Sequence, residues 1–144
     1  MSERRIRAII GNRAPVAAAS TLTVTEAAKL MQHEGVGALL VTNAGHLAGI
    51  FTERDALFRV IAEGRDPKKT PLAEVMTANP RTIALDRPFD HALHLMYEGG
   101  FRHVPVLDDG RPVGVVSVRD ALGPELQQFA AELDEREHIG EVMR

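Results

Sequence analysis

Cysteine is absent from this 144-residue chain, and so is tryptophan. Without cysteine there is no disulfide, no thiolate metal site and no thiol chemistry, which is compatible with a reducing, cytoplasmic setting. Aromatic residues are scarce: five Phe and one Tyr make up 4% of the sequence. Few flat side chains are therefore on hand to stack nucleic-acid bases. Excess positive charge is lacking as well. The formal net charge is −3 and the pI about 6.1, whereas a general nucleic-acid binder needs a basic face. No apolar run approaches the roughly 18 residues that read as a membrane span. No apolar stretch follows Met1-Ser2-Glu3-Arg4-Arg5, so no signal peptide is evident. Nor can a nucleophile with a base and an orienting group be read from the chain, which points away from catalysis.

What the chain does have is a repeat. Shifted by 65 positions, residues 25–57 fall on residues 90–122 without a gap, and 11 of the 33 pairs are identical. They include Ala27/Ala92, Met31/Met96, Gly49/Gly114, Arg54/Arg119 and Asp55/Asp120, and Pro15/Pro80 extends the match upstream. A fixed period says that one unit was used twice. Two copies packed by pseudo-two-fold symmetry place equivalent residues around shared clefts.

Each copy reads as strand, helix, strand, strand, helix, an α/β (α+β) pattern. Residues 8–66 form the first unit, 67–123 the second, and 124–144 a C-terminal helix and tail. In the first unit Val16 to Ala18 is a short strand. Thr23 and Glu26 form a capping box for a helix to about Glu34, with Ala27, Leu30 and Met31 inward and Gly35 as its stop. Ala38–Val41 and Leu47–Phe51 are a hairpin around Asn43-Ala44-Gly45. Thr52 opens a second helix that ends near Gly64. In the second unit Thr82-Ile83 is the short strand, and a helix lies between Phe89 and Glu98, stopped by Gly99-Gly100. His103–Leu107 and Val113–Val116 pair around Asp108-Asp109-Gly110, and Ser117 opens the last repeat helix. Thr70-Pro71 reads as an N-cap and first turn. Beyond Pro124, residues 125–137 read as a polar helix with Leu126, Phe129, Ala130 and Leu133 on one face. Gly140-Glu141-Val142-Met143 echoes Ala73-Glu74-Val75-Met76.

The strongest local signal is Gly49-Ile50-Phe51-Thr52-Glu53-Arg54-Asp55, mirrored by Gly114-Val115-Val116-Ser117-Val118-Arg119-Asp120. A hydroxyl residue followed three places on by Asp is an acidic capping box, and that structural role alone explains the pattern. The same arrangement suits a ligand. A helix N-terminus offers free N–H groups and the positive end of a dipole to phosphate. Thr52 or Ser117 adds a hydroxyl, and Arg54 and Arg119 add charge. Arg102 and His103 approach from a neighbouring strand. An Asp carboxylate can accept two hydrogen bonds from a vicinal diol, each worth about 1.5–3 kcal/mol. These are the parts of a ribonucleotide pocket, present twice. His91 and His94 sit three apart on a helix, but no third metal ligand is in view.

The paired repeats, the two Gly-x-x-Thr/Ser-x-x-Asp motifs, the strand His103-Val104-Pro105-Val106 and the segment Leu72-Ala73-Glu74-Val75-Met76-Thr77 resemble a tandem cystathionine β-synthase (CBS) domain pair, or Bateman module. The resemblance implies two β-α-β-β-α units packed through their sheets and associated as a disc-like homodimer. It implies adenosine ligands in the clefts between repeats: AMP, ADP, ATP, or the related NAD and S-adenosylmethionine. No cofactor is required, and the output passes to a separate, regulated protein. By this resemblance Asp55 and Asp120 hold ribose, Thr52 and Ser117 face phosphate or ribose, and Arg54 and Arg119 lie near phosphate. The backbones of Val16-Ala17 and Thr82-Ile83 contact the adenine edge. Where the second copy has Arg102, His103 and Pro105, the first has Gly37, Ala38 and Leu40, so unequal sites are expected. Two other readings stay open: a ligand-free dimerisation scaffold, and single-stranded RNA binding at the clefts.

Overall fold

A computed structural model describes residues 4–123 and 131–135. The elements run α1 (Ile6–Ile10), β1 (Ala17–Ala18), α2 (Val24–Glu34), β2 (Ala38–Asn43), β3 (His46–Thr52) and α3 (Glu53–Asp55), which continues as a π-helical segment (Ala56–Ile61). Then come α4 (Leu72–Val75), β4 (Thr77–Ala78), β5 (Ile83–Ala84), α5 (Phe89–Gly99), β6 (His103–Asp108), β7 (Arg111–Ser117) and a 3₁₀ helix (Val118–Leu122). The fold is α+β, built from two sheets ordered β1-β2-β3-β4 and β5-β6-β7.

Local chemistry accounts for most of these elements. Thr23 Oγ1 accepts from the Glu26 N–H at 3.2 Å, and the Glu26 carboxylate accepts from the Thr23 N–H at 3.2 Å. The Thr23 hydroxyl, donating to the Glu26 carboxylate at 2.8 Å, and after it the Thr23 N–H hold the Glu26 carboxyl below its usual range. Gly35 and Gly100 end α2 and α5 in the left-handed conformation, which costs glycine little. The two hairpin turns are Ala44-Gly45 and Asp109-Gly110, each with positive φ at both residues, as a tight turn between twisted strands needs. Both hairpins also shift register at matched places, between Val41 and Thr42 and between Val106 and Leu107.

Each repeat has its own core. Val24, Ala27 and Met31 of α2 pack on Leu39, Val41 and Phe51, and Phe89, Ala92 and Met96 of α5 pack on Val104, Val106 and Val116. The opposite faces of the sheets meet each other. Ala38, Leu40 and Ile50 form a third apolar cluster joined by Val115 from the second repeat. A strand buried on both sides reads as an unbroken apolar run, which is why Ala38-Leu39-Leu40-Val41 does not alternate.

The short leading helices are exchanged between the cores. α1 precedes the first repeat, yet Ile6 and Ile10 are buried in the second core. Ile6 N–H donates to Arg87 O at 3.1 Å, and Phe89 N–H donates to Arg4 O at 2.8 Å. α4 lies at the start of the second unit, yet Leu72 and Val75 are buried in the first core, and Leu72 N–H donates to Leu22 O at 2.8 Å. A division of the chain at 66/67 therefore marks the period of the sequence rather than the membership of the two cores.

Three details differ from the sequence reading. The helix after Thr52 turns π-helical, with bonds from Ala62 N–H to Leu57 O at 2.9 Å and Arg65 N–H to Val60 O at 3.0 Å. The helix after Ser117 is 3₁₀. A hydrophobic stripe does not distinguish these spacings from an α-helix over so few residues. Thr70 is not the N-cap: its hydroxyl donates to Asp66 O at 2.7 Å, and Pro71 takes the cap position of α4. The helix expected over 125–137 and the tail echo lie mostly outside the described residues. Residues 131–135 are helical, and Leu133 there is exposed.

Candidate functional site

At the end of β3 the chain closes a small polar box. Asp55 Oδ2 accepts from Thr52 N–H at 3.0 Å and from Thr52 Oγ1 at 3.1 Å, while Thr52 Oγ1 accepts from Asp55 N–H at 3.2 Å. Asp55 Oδ1 accepts from Thr77 Oγ1 at 3.2 Å and lies 3.4 Å from Arg59 Nε. Asp55 is only 6% exposed, and both of its oxygens are committed inside the protein. At the end of β7 Ser117 N–H donates to Asp120 Oδ2 at 2.8 Å. Asp120 is more open, and among the described residues its Oδ1 faces only Arg13 Nη1, at 3.7 Å. The matched carboxylates are thus in different chemical states of use.

A hollow lies beside each box. The first, of about 840 Å³, is walled by Pro15 and Val16, by the Gly35–Ala38 bend, and by Ser117 and Asp120. The second, of about 560 Å³, is walled by Pro80 and Arg81, by the Gly100–His103 bend, and by Thr52 and Asp55. Each cleft therefore combines the hydroxyl–carboxylate corner of one repeat with the strand approaches of the other. The 65-residue period maps one wall onto the other.

Of the residues singled out from sequence, Thr52, Arg54 and Asp55 line the second cleft, and Val16, Ser117, Arg119 and Asp120 line the first. Arg102 and His103 line both. Ala17, Thr82, Ile83 and Pro105 are not on either wall. Pro105 is fully buried within β6, opposite Val115, and Ile83 points into the second core. The chain crosses the cleft before it joins the sheet, at Ala14–Val16 and Asn79–Arg81. Once paired in a strand, its side chains face core or solvent instead. The expected inequality also takes a different form. Because the clefts are built across repeats, Gly37 and Ala38 sit beside Asp120, and Arg102 and His103 serve both sides.

Several wall residues escape a reading of the sequence. Arg59 is foreshadowed by its i,i+4 spacing from Asp55. Arg13 and Arg81 flank the repeated prolines, a weak signal. Thr77 carries none: it reaches Asp55 from 22 residues away because β4 pairs with β3. Phe58 and Phe101 add flat apolar surface to the second cleft only. Asn79, in the left-handed region ahead of Pro80, sets the bend of that wall, and Asn tolerates this conformation better than most residues. Burial, with a smaller contribution from Arg102, pushes the His103 imidazole below its usual pKa, against the upward pull of Glu53 and Asp120. Among the described residues no group of three or more His, Cys, Asp and Glu could hold a metal ion. No helix there is long and apolar enough to cross a membrane.

The two sheet-bearing halves fall on the two stretches that the family comparison finds. The CBS domain model matches residues 6–62 and 72–123. The chain belongs to the CBS domain family. The mitochondrial CBS domain-containing protein CBSX3 of Arabidopsis thaliana is 36% identical over 116 residues, 77% of this chain and 56% of its own length. Another Arabidopsis protein, CBSCBSPB1, is 43% identical over 99 residues, 68% of this CBS pair but 18% of the relative. The CBS pair thus spans about half or less of these curated relatives. Two solved structures are covered almost whole. A protein with CBS domains from Burkholderia ambifaria matches with a TM-score of 0.78 and 33% identity, over 86% of this chain and 95% of that one. A CBS domain protein from Pyrobaculum aerophilum, complexed with AMP, matches with a TM-score of 0.75 and 28% identity, over 87% and 99%.

Proposed function

We propose that this CBS pair binds an adenine nucleotide in the cleft beside Ser117 and Asp120 and passes its occupancy to a partner protein. The observation that carries the reading is the state of Asp120. One carboxylate oxygen is used by the Ser117 amide, and the other faces a hollow of about 840 Å³ with, among the described residues, only a 3.7 Å contact to Arg13. That oxygen is placed to accept from a ribose diol, with Arg13, Arg119 and Arg102 around it for phosphate. Arg119 and Arg102 make no hydrogen bond or ion pair among the described residues, so their donors are open to a ligand. The AMP complex of the Pyrobaculum aerophilum protein supports an adenine nucleotide as the ligand class. Bound ligand touches both repeats and biases their relative orientation by its differential affinity for the two arrangements. ADP, ATP, NAD and S-adenosylmethionine share the adenosine group and belong to the same screen.

Thermal-shift titration tests this. A ligand at about 100 times its Kd stabilises by about 2.7 kcal/mol, roughly 5–10 °C for a chain of this size. The shift is expected with at least one of these five adenosine compounds and is expected to vanish in Asp120→Ala. No shift with any of them favours a second reading, a homodimeric scaffold. That alternative is supported by Leu57, Phe58 and Ile61, which are 50%, 56% and 70% exposed on one turn of the π-helical segment. Light scattering then distinguishes dimer from monomer.

A further inference from the structure

We infer that the two clefts compete for one arginine: a phosphate held by Arg102 in either cleft weakens phosphate binding in the other. The inference rests on the nucleotide-binding reading above and concerns how that binding is regulated. Arg102 lines both clefts, and so do His103 and Glu53. The backbone of Arg102 is pinned, because Val118 N–H donates to its carbonyl at 3.0 Å, while its exposed side chain makes no hydrogen bond or ion pair among the described residues. The first repeat makes the same backbone bond from Glu53 N–H to Gly37 O at 3.0 Å, but Gly37 has no side chain to offer. A Cβ at Gly37 would meet only the movable end of the exposed Glu53 side chain, so the missing side chain and not a lack of space leaves this wall without a second cation. A symmetric pair would carry two arginines on this central wall. This chain carries one, together with one acid, Glu53, whose counterpart is Val118.

A guanidinium is a single planar fork that grips one phosphate at a time. When Arg102 turns to a phosphate in one cleft, the other keeps its own arginines, Arg13 and Arg119 or Arg54, Arg59 and Arg81, but loses one cation while Glu53 remains on its wall. Linkage makes the effect reciprocal, and coupling of this kind is typically about 5–150-fold.

Calorimetric titration of the full chain with AMP decides it. Val36→Trp fills the first cleft and Arg81→Trp the second, since each residue lines one cleft only. If the clefts were independent, the overall two-ligand association constant of the wild type would equal the product of the two single-cleft constants. The expected result is an overall constant about tenfold or more below that product, with the deficit gone in Arg102→Ala. Agreement within about twofold would overturn the coupling while leaving nucleotide binding intact. If the wild type takes up one AMP, each blocked variant must still bind one; a blocked variant that binds none overturns the inference. A wild type that binds no AMP removes the nucleotide reading itself. Should a tryptophan variant fail to fold, Arg102→Ala alone decides. The gap between the two stepwise constants must narrow by about tenfold, and an unchanged or wider gap refutes the competition.

Discussion

Arg54 of the first repeat donates from Nη1 to the carbonyl of Gly100 in the second, at 2.9 Å. The carbonyl belongs to the end of α5, where a helix leaves acceptors unused and favours a cation. The residue that the motif places near phosphate is therefore also a tie between repeats. Its counterpart Arg119 makes no such bond among the described residues. Arg54→Ala should lower stability by about 1 kcal/mol, at the low end for a charged donor because the site is exposed. Arg119→Ala should leave stability within about 0.5 kcal/mol and weaken AMP binding instead. Urea midpoints and AMP titrations on the two variants check the contrast.

The two aspartates should separate in the same way. Asp55 accepts from Thr52 N–H, Thr52 Oγ1 and Thr77 Oγ1 and pairs with Arg59, all at a buried position. Asp55→Ala strands these donors and should cost about 2–4 kcal/mol. Asp120→Ala loses one amide bond at a more open position and should cost about 1 kcal/mol, with the larger effect on nucleotide affinity. Equal losses of stability in chemical denaturation would contradict this division.

Gly49 and Gly114 occupy matched places where a leading segment crosses the sheet. A Cβ on Gly49 would stand 2.7 Å from the backbone oxygen of Thr77 and 2.7 Å from Met76 Sδ. On Gly114 it would meet the Ile10 side chain and no backbone within the nearest contacts, at 2.8 Å from Cδ1 and 3.2 Å from Cγ2. Backbone cannot yield where a side-chain terminus can. Gly49→Ala should therefore destabilise by about 2–3 kcal/mol and Gly114→Ala by about 1 kcal/mol. A smaller loss at Gly49 than at Gly114 would refute the packing argument.

Ribose recognition through Asp120 carries a ligand-side prediction. A deoxyribose offers one hydroxyl where ribose offers two. With 2′-deoxy-AMP in place of AMP, affinity should fall by about tenfold or more, following the value of a charge-assisted hydrogen bond. In Asp120→Ala that discrimination should disappear, which calorimetry can read directly.

His103 gives a pH dependence. Its folded pKa lies below the usual value because burial disfavours the cation, with Arg102 adding to the effect and Glu53 and Asp120 opposing it. The unfolded chain therefore takes up the proton first as pH falls. Stability is complete above the unfolded histidine pKa of about 6.5 and declines as pH drops below it, because there the unfolded state binds more protons. His103→Gln should flatten the urea midpoint between about pH 7 and 5. A midpoint in that variant as steep as in the wild type would assign the slope to other groups.

Much of this was legible before any coordinates. The period, the capping boxes at Thr23, Thr52 and Ser117, the glycine stops at 35 and 100 and both hairpin turns are local events, set by residues within a few positions of one another. Their energies do not depend on what lies across the molecule. The same holds for the expected Ser/Thr-to-Asp corner, since its bonds span three residues.

What the sequence by itself determined, then, is the two repeated units and the chemical groups at each corner, because short-range hydrogen bonds and side-chain periodicity specify them. What only the tertiary structure decided is how those groups are used. The exchange of α1 and α4 between cores, the Thr77 hydroxyl on Asp55 and the placement of Arg102 on both clefts all join residues far apart in the chain. Such contacts follow from the packing of one sheet on another, which no local pattern encodes, and they make two nearly identical motifs into two different sites.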